Sequence, residues 1–123
     1  MALAGKRILV VEDEALLAMR LEELLRDHGC QVVGPAARLA NAQALLEHEP
    51  IDAAVLDVNL AGTSAFPVAL ALRARHIPFV FATAYADGVR YPPEVQGVAR
   101  IAKPYSDAQI VTALRRALAA PPD

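Results

Sequence analysis

The chain has 123 residues, 55% of them hydrophobic, a formal charge of −2, one cysteine and no tryptophan. That is enough for one well-packed domain with a sizeable core, and it excludes a disordered chain. There is no basic run to track phosphates, no apolar run of the about 18–20 residues that span a membrane, and Glu12-Asp13-Glu14 interrupts the N-terminus too early for a secretory signal. Nucleic acid and membrane are therefore not expected partners, and a cytoplasmic location is expected. Cys30, as the lone cysteine, leaves no internal disulfide and reads as a small buried hydrophobe.

Taken in order, Lys6–Val11 reads as a buried strand that stops at Glu12-Asp13-Glu14. Ala15–His28 places Leu17, Leu21, Leu24 and Leu25 on one helical face and ends at Gly29. Cys30–Val33 is a second strand, ended by Gly34-Pro35, and Leu39–His48 a weaker helix closed by Pro50. Ala53–Leu60 is a short apolar run with an acid in it, read as the third strand, followed by a loop over Ala61–Ser64. Ser64 or Thr63 can cap a helix running to Ala74, with Pro67 in its first turn. Pro78–Thr83 is the fourth strand and Val98–Ala102 the fifth. Between them, Gly88, Pro92 and Pro93 leave only a short or irregular helix, so Ala84–Gln96 is expected to be the mobile part of the molecule. Ser106-Asp107-Ala108-Gln109 is a capping box opening a last helix, with Ile110, Leu114, Ala117 and Leu118 inward. Five strands alternating with four or five helices predict an α/β fold, a (βα)5 doubly wound parallel sheet in a single domain over residues 1–123.

In such a sheet, ligands bind outside the carboxyl ends of the strands. Glu12 and Asp13 fall there from the first strand, Asp57 and Asn59 from the third, Thr83 from the fourth and Lys103 from the fifth. Taken alone, Asp57 can equally be a loop cap, Thr83 a cap and Lys103 a surface charge before a turn; their order, at successive strand ends, favours a shared site. Clustered carboxylates resist a dry pocket unless a cation neutralises them, and Mg²⁺ suits a site with few protein ligands, several waters and a phosphoryl group. Lys103 adds positive charge and Thr83 a donor, so the set can hold a phosphoryl group transferred to Asp57 as nucleophile.

Glu12-Asp13, Asp57 with Asn59, Thr83 and Lys103-Pro104, in this order and spacing over residues 5 to 120, resemble the receiver domain of two-component response regulators. The resemblance implies a flavodoxin-like fold and a signalling switch of a phosphorelay. Asp57 would be the phospho-acceptor, receiving its phosphoryl group from a sensor histidine kinase or a histidine phosphotransfer protein. Asp13 and Asp57 would bind Mg²⁺ through carboxylates, Glu12 through a water and Asn59 through its backbone carbonyl. Thr83 and Lys103 would contact the phosphoryl group, and Pro104 would follow a cis peptide bond. The protein would then be no conventional enzyme, but a phospho-acceptor that assists its own phosphorylation and dephosphorylation and alters the binding of a downstream protein.

Two departures from the usual receiver pattern stand out. Arg100 occupies the position, three before the lysine, where receivers carry an aromatic switch residue, and Leu60–Pro67 lacks the usual early proline. With Pro78-Phe79-Val80-Phe81-Ala82-Thr83-Ala84-Tyr85, they resemble the single-domain subfamily with a Phe-Ala-Thr-Gly-Tyr-like motif, Ala84 replacing its glycine. Tyr85 is the expected stand-in for part of the switch, with local packing as its alternative. The expectation is a stand-alone receiver. A receiver-like interaction module that is not phosphorylated is the alternative reading, disfavoured by retention of the acids, Thr83 and Lys103. A haloacid-dehalogenase-type phosphatase would carry its acid pair on the first strand, and a nucleotide or flavin site would carry glycines where Glu12-Asp13-Glu14 stands. His28, His48 and His76 lack metal-ligand spacing, and Tyr91-Pro92-Pro93 reads as a turn, with a partner-binding surface as the alternative.

Overall fold

The computed structural model describes residues 3–84 and 89–120. In chain order the elements are β1 (Arg7–Val11), α1 (Ala15–Asp27), β2 (Gln31–Ala36), α2 (Leu39–His48), β3 (Ala53–Leu56), β4 (Asn59–Leu60), β5 (Thr63–Ser64), α3 (Phe66–Ala74), β6 (Phe79–Thr83), a 3-10 turn (Pro93–Val95), β7 (Arg100–Ala102) and α4 (Asp107–Ala119). Five strands form one parallel sheet in the order β2-β1-β3-β6-β7, and β4 and β5 pair antiparallel in a hairpin of their own.

The central strands are apolar throughout because both their faces are covered. Leu9 and Val11, Ala54 and Leu56, and Phe79 and Phe81 point to one face, where Ala42 and Leu46 of α2 and Val68, Ala69 and Leu72 of α3 pack. Ile8 and Val10, Ala53 and Val55, and Val80 and Ala82 point to the other, against Leu21, Leu24 and Leu25 of α1 and Ile110, Val111 and Leu114 of α4. Strand periodicity thus divides one continuous sheet into two apolar layers. Fully buried side chains such as Phe81, Ile8 and Leu25 each contribute roughly 1.5–3 kcal/mol. Cys30 is buried, its Sγ 3.3 Å from the Leu3 carbonyl, as a small core residue.

The chain reverses its direction of travel across the sheet between β1 and β3, which opens a crevice at their carboxyl ends. Glu12 and Asp57 are the residues that follow these two strands. Among the described residues no helix is long and apolar enough to cross a membrane. The capping box of α4 is formed: Ser106 Oγ accepts from the Gln109 amide at 3.2 Å, and Gln109 Oε1 accepts from the Ser106 amide at 2.7 Å.

Three local features differ from the sequence reading. β3 stops at Leu56 instead of reaching Leu60, because Ala61 (φ 52°) and Gly62 (φ 91°) both adopt positive φ and turn the chain back as a two-residue hairpin. β2 continues through Gly34-Pro35 to Ala36, with a register shift opposite Leu9–Val11. Gly34 (φ 97°) permits this: a Cβ there would lie 2.8 Å from the Ala36 nitrogen and 3.1 Å from the Val10 carbonyl. The Gly34-Pro35 peptide is cis. Finally, the N-cap of α3 is Ala65, while Ser64 Oγ accepts from the Phe66 amide at 3.1 Å.

Candidate functional site

Backbone pairing brings the acids together. The Asp57 amide donates to the Val11 carbonyl at 2.9 Å, and the Glu12 amide to the Ala36 carbonyl at 2.9 Å, so both side chains leave the sheet at the same level. Glu12 is 2% exposed and Asp57 5%. Asp13 is half-buried beside them. Glu12, Asp13 and Asp57 each offer an oxygen, all within 4.8 Å of one another.

Lys103 reaches into this cluster from the end of β7. Its amide donates to the Thr83 carbonyl at 3.0 Å, which continues the β6–β7 ladder, and its peptide to Pro104 is cis. The ammonium lies 2.8 Å from Asp57 Oδ2 and 2.7 Å from Glu12 Oε1, with its side chain only 10% exposed. A third contact, to Glu14 Oε1 at 3.3 Å, is on the solvent side, where the Glu14 side chain is 61% exposed. Glu12 Oε2 accepts from the Glu14 amide at 3.1 Å. Asp57 Oδ1 accepts weakly from the Asn59 amide at 3.4 Å. Asp13 Oδ2 accepts from the Ala61 amide at 3.0 Å.

Burial pushes the Glu12 carboxyl up to about 7; the Lys103 hydrogen bond and the Glu14 amide pull it down, and neighbouring Asp57 raises it further. Burial acts to lower the Lys103 ammonium, but the carboxylates of Asp57 and Glu12 outweigh it and hold the group charged well above its ordinary range. Three close carboxylates facing one ammonium leave an excess of negative charge whenever Glu12 is ionised. Oxygen-only donors at this spacing suit a small, hard divalent cation, so the residues present fit Mg²⁺.

Thr83 is fully buried at the end of β6, the strand next to β3. Asn59 opens the hairpin, its backbone two residues past Asp57. Tyr85 lies outside the described residues, as do residues 86–88 of the segment expected to be mobile. Tyr91, read as a turn or partner surface, has its ring in the core: it is 3% exposed, 5.3 Å from Phe66 and 5.1 Å from Phe81 between centroids. Arg100 lies over that ring, 3.7 Å from its centroid, and donates to the Gln96 carbonyl at 3.4 Å.

Two contributors to the site were not singled out from the sequence. Glu14 stood only as part of an acidic run, and Ala61 only as part of a loop. Tyr105, two residues after Lys103, is a third neighbour: its hydroxyl is buried without a hydrogen-bond partner among the described residues, and burial, then the Glu12 charge, pushes it up to about 12. It lines a cleft of about 360 Å³ with Lys103, Leu17, Arg20, Leu21 and Leu24, next to the acids. A larger cleft of about 970 Å³ runs along β7 and the end of α4, lined by Lys6, Arg73, His76 and Arg116 among others; none of the three clustered acids lines it.

The description "response regulator receiver domain" belongs to the family model that matches residues 8–115. The transcriptional regulatory protein PdtaR of Mycobacterium tuberculosis is 31% identical over 120 residues, covering 95% of this chain and 58% of PdtaR, so the chain spans little more than half of that relative. The solution structure of SdrG from Sphingomonas melonis Fr1 is 40% identical with a TM-score of 0.80, covering 98% of this chain and 100% of SdrG. The receiver domain of sensor histidine kinase PA1611 from Pseudomonas aeruginosa PAO1 is 28% identical with a TM-score of 0.81, covering 95% and 100%; its structure holds a magnesium ion in the active-site cleft.

Proposed function

The chain belongs to the response regulator receiver family of two-component signalling, and we propose that residues 1–123 act as a single receiver domain switched by phosphorylation of Asp57. The observation that carries this reading is the position of Asp57 itself. It is buried, its Oδ2 lies 2.8 Å from the Lys103 ammonium, and it shares a pocket with the oxygens of Glu12 and Asp13.

In the transfer step an Asp57 carboxylate oxygen bonds to the phosphorus of a phosphohistidine as the bond from phosphorus to the histidine nitrogen breaks, and the nitrogen keeps the electron pair. Asp13 and Asp57 would hold Mg²⁺ with their carboxylates, Glu12 through a water and Asn59 with its backbone carbonyl. Bound there, the cation would supply charge neutralisation to the transferring oxygens. Lys103, already fixed beside Asp57, adds a second positive charge at the same oxygens. Thr83 supplies a hydroxyl to the phosphorylated state, and the same groups assist the later attack of water that releases phosphate and restores the carboxylate.

The donor is a sensor histidine kinase or a histidine phosphotransfer protein, and the readout is altered binding of a downstream protein. We assign the donor to the outer face of α1, where Leu16 (70% exposed) and Met19 (57% exposed) are the large hydrophobics left in solvent among the described residues. Met19→Glu is expected to slow transfer from a cognate kinase while leaving phosphorylation by a small phosphodonor unchanged.

The test of the central reading is incubation with Mg²⁺ and acetyl phosphate, followed by intact mass. The expected result is a gain of one phosphoryl group, lost in Asp57→Asn and on chelation of the cation. No gain in the unmodified chain would overturn the reading in favour of a receiver-like interaction module.

A further inference from the structure

The three clustered acids are held in different ways. Lys103 ties down Glu12 and Asp57 directly. Asp13 has no such partner among the described residues; its Oδ2 is fixed instead by the amide of Ala61, at the tip of the β4–β5 hairpin. The residue that carries this amide takes φ 52°, a conformation that residues with a side chain seldom adopt. Gly62 follows at φ 91°, and its amide donates to Asn59 Oδ1 at 2.7 Å. The hairpin is anchored below by buried Leu60, by pairing of Asn59 with Ser64 and Leu60 with Thr63, and by the Ala65 amide on the Val58 carbonyl at 2.8 Å.

From these contacts we infer that the Asn59 side chain is a positioning residue for the cation site, acting through the Ala61–Gly62 turn to aim the Asp13 carboxylate. The inference rests on the cation-binding reading above. A carboxylate with one oxygen held by a backbone donor keeps its other lone pairs in a defined place, which is how outer partners orient metal ligands. A strained turn at a functional site is retained when its neighbours over-determine it, and the Asn59–Gly62 bond does that here. Asn59 therefore has two separable roles: its backbone carbonyl as a ligand, and its side chain as the clasp of the turn that orients a different ligand.

The test is a Mg²⁺ titration of the full chain followed by amide chemical shifts, alongside thermal unfolding. The unmodified chain is expected to bind Mg²⁺ and to show a shift of the Ala61 amide on saturation. Asn59→Ala is expected to bind about 10-fold more weakly and to lose that Ala61 signature, with little change in the unfolding temperature. Gly62→Ala is a second variant that leaves every ligand in place: open space surrounds the added methyl, but φ 91° opposes it, and the same weakening is expected. Ser64→Ala, which removes only the contact to the Phe66 amide at the far end of the hairpin, is expected to bind as the unmodified chain does. Asn59→Ala and Gly62→Ala binding Mg²⁺ as tightly as the unmodified chain would overturn the positioning role while leaving the cation site intact. No binding by the unmodified chain would overturn the cation site, and the positioning role with it.

Discussion

Arg100 opens the edge strand β7 and Lys103 directly follows it, and their charges are used in opposite ways. Lys103 is buried among carboxylates, and its ammonium partly neutralises Glu12 and Asp57. Arg100, on an exposed position of β7, instead has its guanidinium carbon 3.7 Å from the centroid of the Tyr91 ring. The difference follows from the side chains. A guanidinium is planar and weakly hydrated, so it stacks on an aromatic face at little desolvation cost, whereas an ammonium is a compact point charge that needs oxygens around it once out of water. At the position where receivers ordinarily place an aromatic switch residue, this chain therefore has a cation that covers an aromatic residue from another segment. Phe66, Phe81, Tyr91 and Arg100 link the start of α3, β6, the stretch before β7, and β7 itself.

The contrast is broken most severely by Lys103→Met. The substitution keeps the length of the side chain and removes the charge, leaving Glu12 and Asp57 buried against each other. Losing one partner of a buried pair costs about 3 kcal/mol or more, to be read from urea unfolding at pH 8. The loss should shrink as pH falls. Glu12 has a folded pKa raised to about 7 against an ordinary 4.5, so between these values the folded state holds a proton that the unfolded chain has released. Stability from this group thus declines as pH rises from about 4.5 through 7, and it recovers on acidification. Lys103 titrates far higher and contributes no slope in this window. A Lys103→Met penalty equal at pH 5 and pH 8 would show that repulsion among the acids is not its source.

Arg100→Ala is expected to have a smaller effect, about 1 kcal/mol in thermal or urea unfolding, from the lost cation–π contact and the uncovering of Tyr91. Arg100→Lys should recover little of it if stacking of a flat guanidinium is what matters. Full recovery by lysine would mean that charge alone is sufficient there.

Much of this arrangement could be read from the residues, and the parts that could not share a cause. The apolar runs before Glu12 and Asp57, and the one ending at Thr83, mark strand ends because a strand buried on both faces tolerates polar residues only where it leaves the sheet, whereas β7 before Lys103 is an edge strand with only Ile101 buried. The Ser106–Gln109 capping box is similarly local, four residues long and self-contained. β2 continues past Gly34-Pro35, although local rules read that dipeptide as a breaker, because pairing of Ala36 with Val11 on a neighbouring strand overrides them. The β4–β5 hairpin was hidden because Val58 and Leu60 keep a strand-like alternation going past Asp57 and Asn59, with no glycine or proline before Gly62. Ala61 is also an unusual residue for a turn of positive φ. The stacking of Arg100 on Tyr91 joins residues with no periodic relation. In each case the deciding contact comes from another part of the chain.

Glu14→Gln gives the smallest expected effect, and it sharpens the contrast from the other side. Glu14 is the third carboxylate touching Lys103, yet at 3.3 Å and 61% side-chain exposure it sits in water, where ion pairs contribute from nothing to a few tenths of a kcal/mol. Its removal should leave the unfolding free energy within about 0.5 kcal/mol of the unmodified chain, and raising the salt concentration should erase even that difference. A loss approaching that of Lys103→Met would mean that Glu14 orients the ammonium instead of merely facing it. The division between a buried pair that fixes Lys103 and a solvated one that does not would then have to be redrawn to include the N-terminus of α1.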